Sequence, residues 1–105
     1  MWDKVKAFVQ EIEKDRVLEM TVNQWMGTNI WDTYRGYIST NVIRCLEDPD
    51  VNPDVLKFFN NALTMMCFDL AVAENDEHKE DIEHNLALLN EFKKICKDVG
   101  IVLED

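Results

Sequence analysis

Apolar residues recur along this chain at steps of three and four, and the segments that carry this period predict helices rather than strands. In the first, Val5, Phe8, Val9 and Ile12 share one face of a helix that starts near Trp2 and ends between Glu19 and Met26. Gly27 suits its C-terminus, and Asn29 then stands where a side chain caps the next helix, with Asp32 in that helix's first turn. On the second helix Ile30, Trp31, Tyr34, Ile38, Val42, Cys45 and Leu46 form one broad apolar face, and the segment stops before Pro49.

A new start follows in "VNPDVL". Asn52 caps, Pro53 takes the first helical position, Asp54 lies in the first turn, and Val51 staples onto Leu56. The third helix runs to Ala73 or Glu74. Val55, Phe58, Phe59, Ala62, Leu63, Met65, Met66, Leu70 and Ala73 leave only a polar stripe of Lys57, Asn60, Asn61, Thr64 and Asn75, which predicts a central helix. Asp69 falls at the edge of its apolar arc. Phe68 interrupts the stripe, either as an anchor for a partner or beneath a cover from the segment around Trp25.

The fourth helix carries Ile82, Leu86, Leu89, Phe92, Cys96 and Val99 on its apolar face. Lys93, Lys94 and Lys97 complement its negative end, and Gly100 fits a left-handed stop that lets Ile101 fold back. The fold class is therefore all-α: residues 1–105 as a single helical domain, a single-domain antiparallel bundle of about four helices joined by short connections. A hydrophobic fraction of 47% and a charged fraction of 30% are those of a globular chain, and its length suits one core.

Charge changes the picture more than composition does. Twenty-one acids against eleven bases give a net charge of −10, a field that repels phosphate backbones and anionic lipid and steers basic proteins inward. The acids gather in two clusters. Glu47, Asp48, Asp50 and Asp54 have no base among them, and Asp76, Glu77, Glu80 and Asp81 open the fourth helix, where unsatisfied amides favour anions. The third helix holds the clusters roughly 30 Å apart. Glu104 and Asp105 should return to the end that holds the first cluster.

Candidate chemistry is thin. Glycine-rich phosphate loops are absent, and Ser39 stands on a polar face with no histidine near it in sequence. Both histidines, His78 and His84, lie in "ENDEHKEDIEH"; six positions separate them by roughly 240° of helix, so they do not grip one ion from one face. Glu80 and His84 form an ordinary i,i+4 pair. Cys45, Cys67 and Cys96 have neither disulfide nor zinc spacing and read as core residues in a reducing compartment. The longest apolar run, "MMCF", is far short of a membrane span, so cytoplasmic residence is expected.

No enzyme, cofactor or metal is therefore expected, nor direct nucleic-acid or membrane binding. In size, acidity and lack of catalytic groups the chain resembles small immunity proteins of bacterial contact-dependent inhibition and bacteriocin systems. That resemblance implies a protein that binds and inhibits a basic protein partner, such as a nuclease-type toxin domain, and it carries over no residue; the acidic clusters themselves make Glu47, Asp48, Asp50, Asp54, Asp76, Glu77, Glu80 and Asp81 the expected partner-binding residues, on a monomer or homodimer. Two other functions fit the pattern: a phage-type nucleic-acid mimic acting on restriction or CRISPR effectors, and a helical adaptor or homodimer whose apolar third helix extends a groove.

Overall fold

Helical period dictates what the computed structural model describes at residues 2–27, 29–47, 54–65 and 79–103. Every regular element among them is helical, in the order α1 (Asp3–Lys14), α2 (Arg16–Met26), α3 (Ile30–Tyr37), a π-helical stretch (Ile38–Ile43), α4 (Arg44–Leu46), α5 (Asp54–Thr64) and α6 (Lys79–Asp98). The protein is an all-α domain. None of these helices is long and apolar enough to cross a membrane.

The first departure from the sequence pattern is a break at Asp15. The residue is extended, at φ −71° and ψ 120°, and its carboxylate accepts a hydrogen bond from the Leu18 amide at 2.9 Å, so it caps a new helix. The break decides where side chains point. Val5, Val9 and Ile12 are buried on α1, as are Leu18, Thr21 and Val22 on α2. In one unbroken helix Leu18 would stand about 220° from Val5 and face away from that core. Resetting the phase at Asp15 buries both sets.

Gly27 ends α2 at φ +135°, a conformation that L side chains rarely adopt; a Cβ there would also lie 3.3 Å from Ile30 Cγ1. Asn29 follows in the left-handed region at φ 64° and makes no side-chain cap, contrary to the expectation from sequence. Asn23 of α2 substitutes for it, its Oδ1 accepting from the Trp31 amide at 2.9 Å. Because α2 packs against α3, a side chain from the neighbouring helix reaches the orphan donor.

The π-helical stretch accounts for a second change. Wider turns shift the phase of every later side chain. Trp31, Ile38, Val42 and Leu46 are buried as expected; Ile43 joins them, while Cys45 turns outward instead of entering the core. Ile30 is also exposed rather than packed inside.

On α5 only Leu56, Phe59, Asn60 and Leu63 are buried. The described part of the expected central helix thus leaves one face open, with Phe58 60% and Met65 50% exposed. Asn60, expected in the polar stripe, is 2% exposed, and its Oδ1 has no partner among the described residues. The cap at Asn52 and Pro53, the Val51 staple, and the extension through Met66, Cys67, Phe68, Asp69 and Leu70 to Glu74 lie outside the described residues.

Centre stage belongs to α6, which packs on α1, α2 and α5. Phe92 stacks on Phe8 with ring centroids 6.3 Å apart and meets Phe59 edge-on at 5.5 Å. Leu89 and Cys96 complete its buried line, whereas Leu86 lies at the surface. Burial pushes the Cys96 thiol up to about 12, so it stays protonated. The helix closes as its sequence indicates. Gly100 takes φ +89°, its amide donates to Lys97 O and the Ile101 amide to Cys96 O, both at 2.9 Å, and Ile101 is buried.

A buried polar contact links α6 to α2. Asn85, fully buried, donates from Nδ2 to Thr21 Oγ1 at 3.0 Å, and the Thr21 hydroxyl donates to Val17 O at 2.8 Å. This ties α6 to α2 with a directional bond that apolar packing alone does not supply.

Candidate functional site

The acidic residues are only partly the uncompensated surface that the sequence suggests. Glu47 is exposed at the end of α4, but the Lys6 ammonium of α1 lies 2.9 Å from its Oε1. Its cluster therefore does have a base, supplied from another helix. Lys6, first by hydrogen bonding and then by charge, holds the Glu47 carboxyl below its ordinary value. Its small contribution to stability is present above the unfolded-state pKa and is lost as pH falls through the lowered one. Replacing Lys6 with alanine should return Glu47 towards the usual carboxylate range, measured by an NMR titration of its side-chain carbon; an unchanged titration would refute the pairing.

Asp54 is exposed in the first turn of α5, Glu80 is exposed in the first turn of α6, and Asp81 beside it is half-buried. Asp48, Asp50, Asp76 and Glu77 lie outside the described residues, as do His78, Glu104 and Asp105. Of the expected docking carboxylates that the structure describes, Glu80 and Asp81 stand together in the first turn of α6.

Other acids are engaged within the fold. His84 Nε2 lies 2.8 Å from Asp15 Oδ2, pinning α6 to the joint between α1 and α2. Arg35 donates from Nε to Glu13 O at 3.1 Å and pairs with Glu19 Oε1 at 2.6 Å and Asp32 Oδ1 at 3.5 Å. Trp31 Nε1 donates to the same Glu13 carbonyl at 3.2 Å. Arg35 was legible in one respect: no other lysine or arginine falls between Arg16 and Arg44. An isolated base in an acidic chain attracts whatever carboxylates the fold brings near it.

The sequence pattern puts Ile30, Tyr34, Phe58 and Ala62 on apolar faces and leaves Met65 open between core and contact surface. The structure opens a groove among them. Ile30, Thr33, Tyr34 and Tyr37 of α3 form one wall and Phe58, Ala62 and Met65 the other, enclosing about 450 Å³ almost wholly bounded by carbon. Tyr34 tilts on Trp31 at 5.9 Å and stacks on Tyr37 at 5.7 Å, so this wall is an aromatic ladder rooted in a buried tryptophan. The Tyr34 hydroxyl is itself buried. α5 creates the other wall because its apolar residues form two lines: Leu56, Phe59 and Leu63 inward, Phe58 and Met65 outward.

The bases collect elsewhere. Lys93, Lys94 and Lys97 share a depression of about 330 Å³ with Asn90, Val102 and Leu103 near the end of α6. No three His, Cys, Asp or Glu side chains among the described residues are grouped to hold a metal ion.

Comparison with known protein families, characterised proteins and solved structures finds no match to this chain.

Proposed function

We propose that this protein is a non-enzymatic acidic domain that binds a basic protein partner and inhibits it by occlusion, in the manner of an immunity protein facing a nuclease-type toxin. The observation that carries this reading is the open groove between α3 and α5 on a chain of net charge −10. Phe58 and Met65 stand in water at a cost of about 25 cal/mol per Å² of apolar surface, which a partner's apolar side chains relieve. The surrounding charge then selects the partner's sign. A second copy carries another −10 and is repelled, whereas a basic protein is drawn in.

Relative to the expectation from sequence, the anchor moves from the acidic clusters to the groove. The carboxylates steer, and the apolar walls hold. The basic depression around Lys93, Lys94 and Lys97 argues against a phosphate mimic, which needs an unbroken line of negative charge. The groove itself suits an adaptor as well as an inhibitor; the two differ in whether the partner loses its activity on binding. Residence in the cytoplasm belongs to the same proposal, as does the absence of catalysis.

Affinity capture from the native source, followed by binding with both proteins purified, tests the reading. The captured protein should be basic, its own activity should fall in proportion to occupancy, and affinity should drop about tenfold between about 0.05 and 0.15 M salt. Binding indifferent to salt, or a partner that retains full activity when saturated, would overturn the inhibitory reading.

A further inference from the structure

We infer that the occupant of the groove is an amphipathic basic helix of the partner, seated along α3 and α5 by one apolar stripe; this rests on the reading above and specifies the form of its ligand. The first argument is length. Ile30, Tyr34 and Tyr37 on one wall and Phe58, Ala62 and Met65 on the other each span seven positions, two turns or about 10 Å of helix. Residues at i, i+3 or i+4, and i+7 of a third helix cover the same distance, so its stripe matches the groove from end to end.

The second argument is hydrogen bonding. The lining is almost wholly carbon, and the Tyr34 hydroxyl is turned into the fold. An extended or polyproline segment laid here would bring backbone groups that have no internal partners against walls that offer very few. A helix satisfies its backbone within itself and presents only side chains.

Charge supplies the third. Asp54 precedes Phe58 by four positions, which places a carboxylate on the same side of α5, one turn beyond the groove. With the chain at −10, a helix carrying lysine or arginine around its apolar stripe is complementary, and a second copy of this chain is not.

Two synthetic peptides of roughly 18 residues test this, each made of the same leucines and lysines: one with leucine at helical period, one with the order scrambled to strand period. The full-length protein should bind the helical peptide at least tenfold tighter, about 1.4 kcal/mol or more, by titration calorimetry. Phe58→Asp is decisive because its two consequences have opposite signs. It adds a negative charge to the surface, so purely electrostatic capture would tighten, whereas seating in the groove should weaken about tenfold or more. Met65→Ser repeats the test without changing charge, and circular dichroism checks that each variant remains folded. Equal affinity for the two peptides, or tighter binding by Phe58→Asp, would overturn the helical seat while leaving salt-dependent capture of a basic partner standing. Concentration-dependent dimerisation that Phe58→Asp abolishes would assign the groove to a second copy and overturn it as well.

Discussion

Replacing Trp31 with alanine is expected to remove about 3 to 5 kcal/mol of folding stability, the range for deleting a buried aromatic side chain. Trp31 has no solvent exposure, and its two nitrogens make separate connections. The backbone amide donates to Asn23 of α2, and the indole donates to the Glu13 carbonyl of α1. Truncation therefore opens a cavity at the meeting point of α1, α2 and α3 and removes the indole hydrogen bond as well. A domain of this size has about 5 to 15 kcal/mol in total, so the variant should melt more than about 10 °C lower. Trp31→Phe keeps much of the volume and should lose less. Urea unfolding followed by circular dichroism measures both; a loss below about 1 kcal/mol for Trp31→Ala would mean that α3 is not fixed through this side chain. The same change should loosen Tyr34, which leans on the indole, and so degrade the groove wall before the domain unfolds.

Asn85→Asp is expected to destabilise the protein by about 3 kcal/mol or more at neutral pH, although it changes one side-chain atom. Asn85 donates to a threonine oxygen whose own proton is already directed to the Val17 carbonyl. A carboxylate at position 85 would face that oxygen with no donor of its own, fully buried, and could recruit the hydroxyl only by breaking the bond to Val17. Burial and loss of a donor raise the folded-state pKa of the introduced acid above its unfolded value. Below the unfolded value both states are neutral and the charge penalty vanishes; it grows as pH rises and is complete above the folded value. Urea midpoints of the variant and the parent, compared at each pH, should therefore converge on acidification. A gap that stayed constant with pH would show that the site is wetter than its geometry implies.

Both predictions concern side chains that join separate helices, and such joints are the part least legible in the sequence. Local features are legible in the sequence. The helical period, the acid-rich opening of α6 and the glycine stop at Gly100 depend on residues within a turn or two of each other, and sequence proximity places them together in any fold. The net charge is likewise a property of the chain itself.

Where the period carried two solutions, packing chose between them. Val5, Val9 and Ile12 permit a helix that continues past Asp15 or one that stops there; the stop also lets Leu18 and Val22 be buried, on a helix that packs against α6 and α3. Asn29 and Asn23 both have a capping side chain, and the approach of α2 to α3 selects Asn23. The apolar girdle of α5 indicates that several faces avoid water, but not which of them find a neighbour. That Leu56, Phe59 and Leu63 are buried on a helix packed against α6 and the π-helical stretch, while Phe58 and Met65 face outward, is a tertiary outcome, and the groove exists because of it. The pairings of Glu47 with Lys6 and His84 with Asp15 have the same origin, since the partners are 41 and 69 positions apart. Sequence by itself determined the helical class and the net charge, because these arise from short-range hydrogen bonding and composition. Which apolar face stays open and which carboxylates remain for a partner were decided by tertiary packing, because hydrophobic burial is non-directional and specifies contact only once the helices meet.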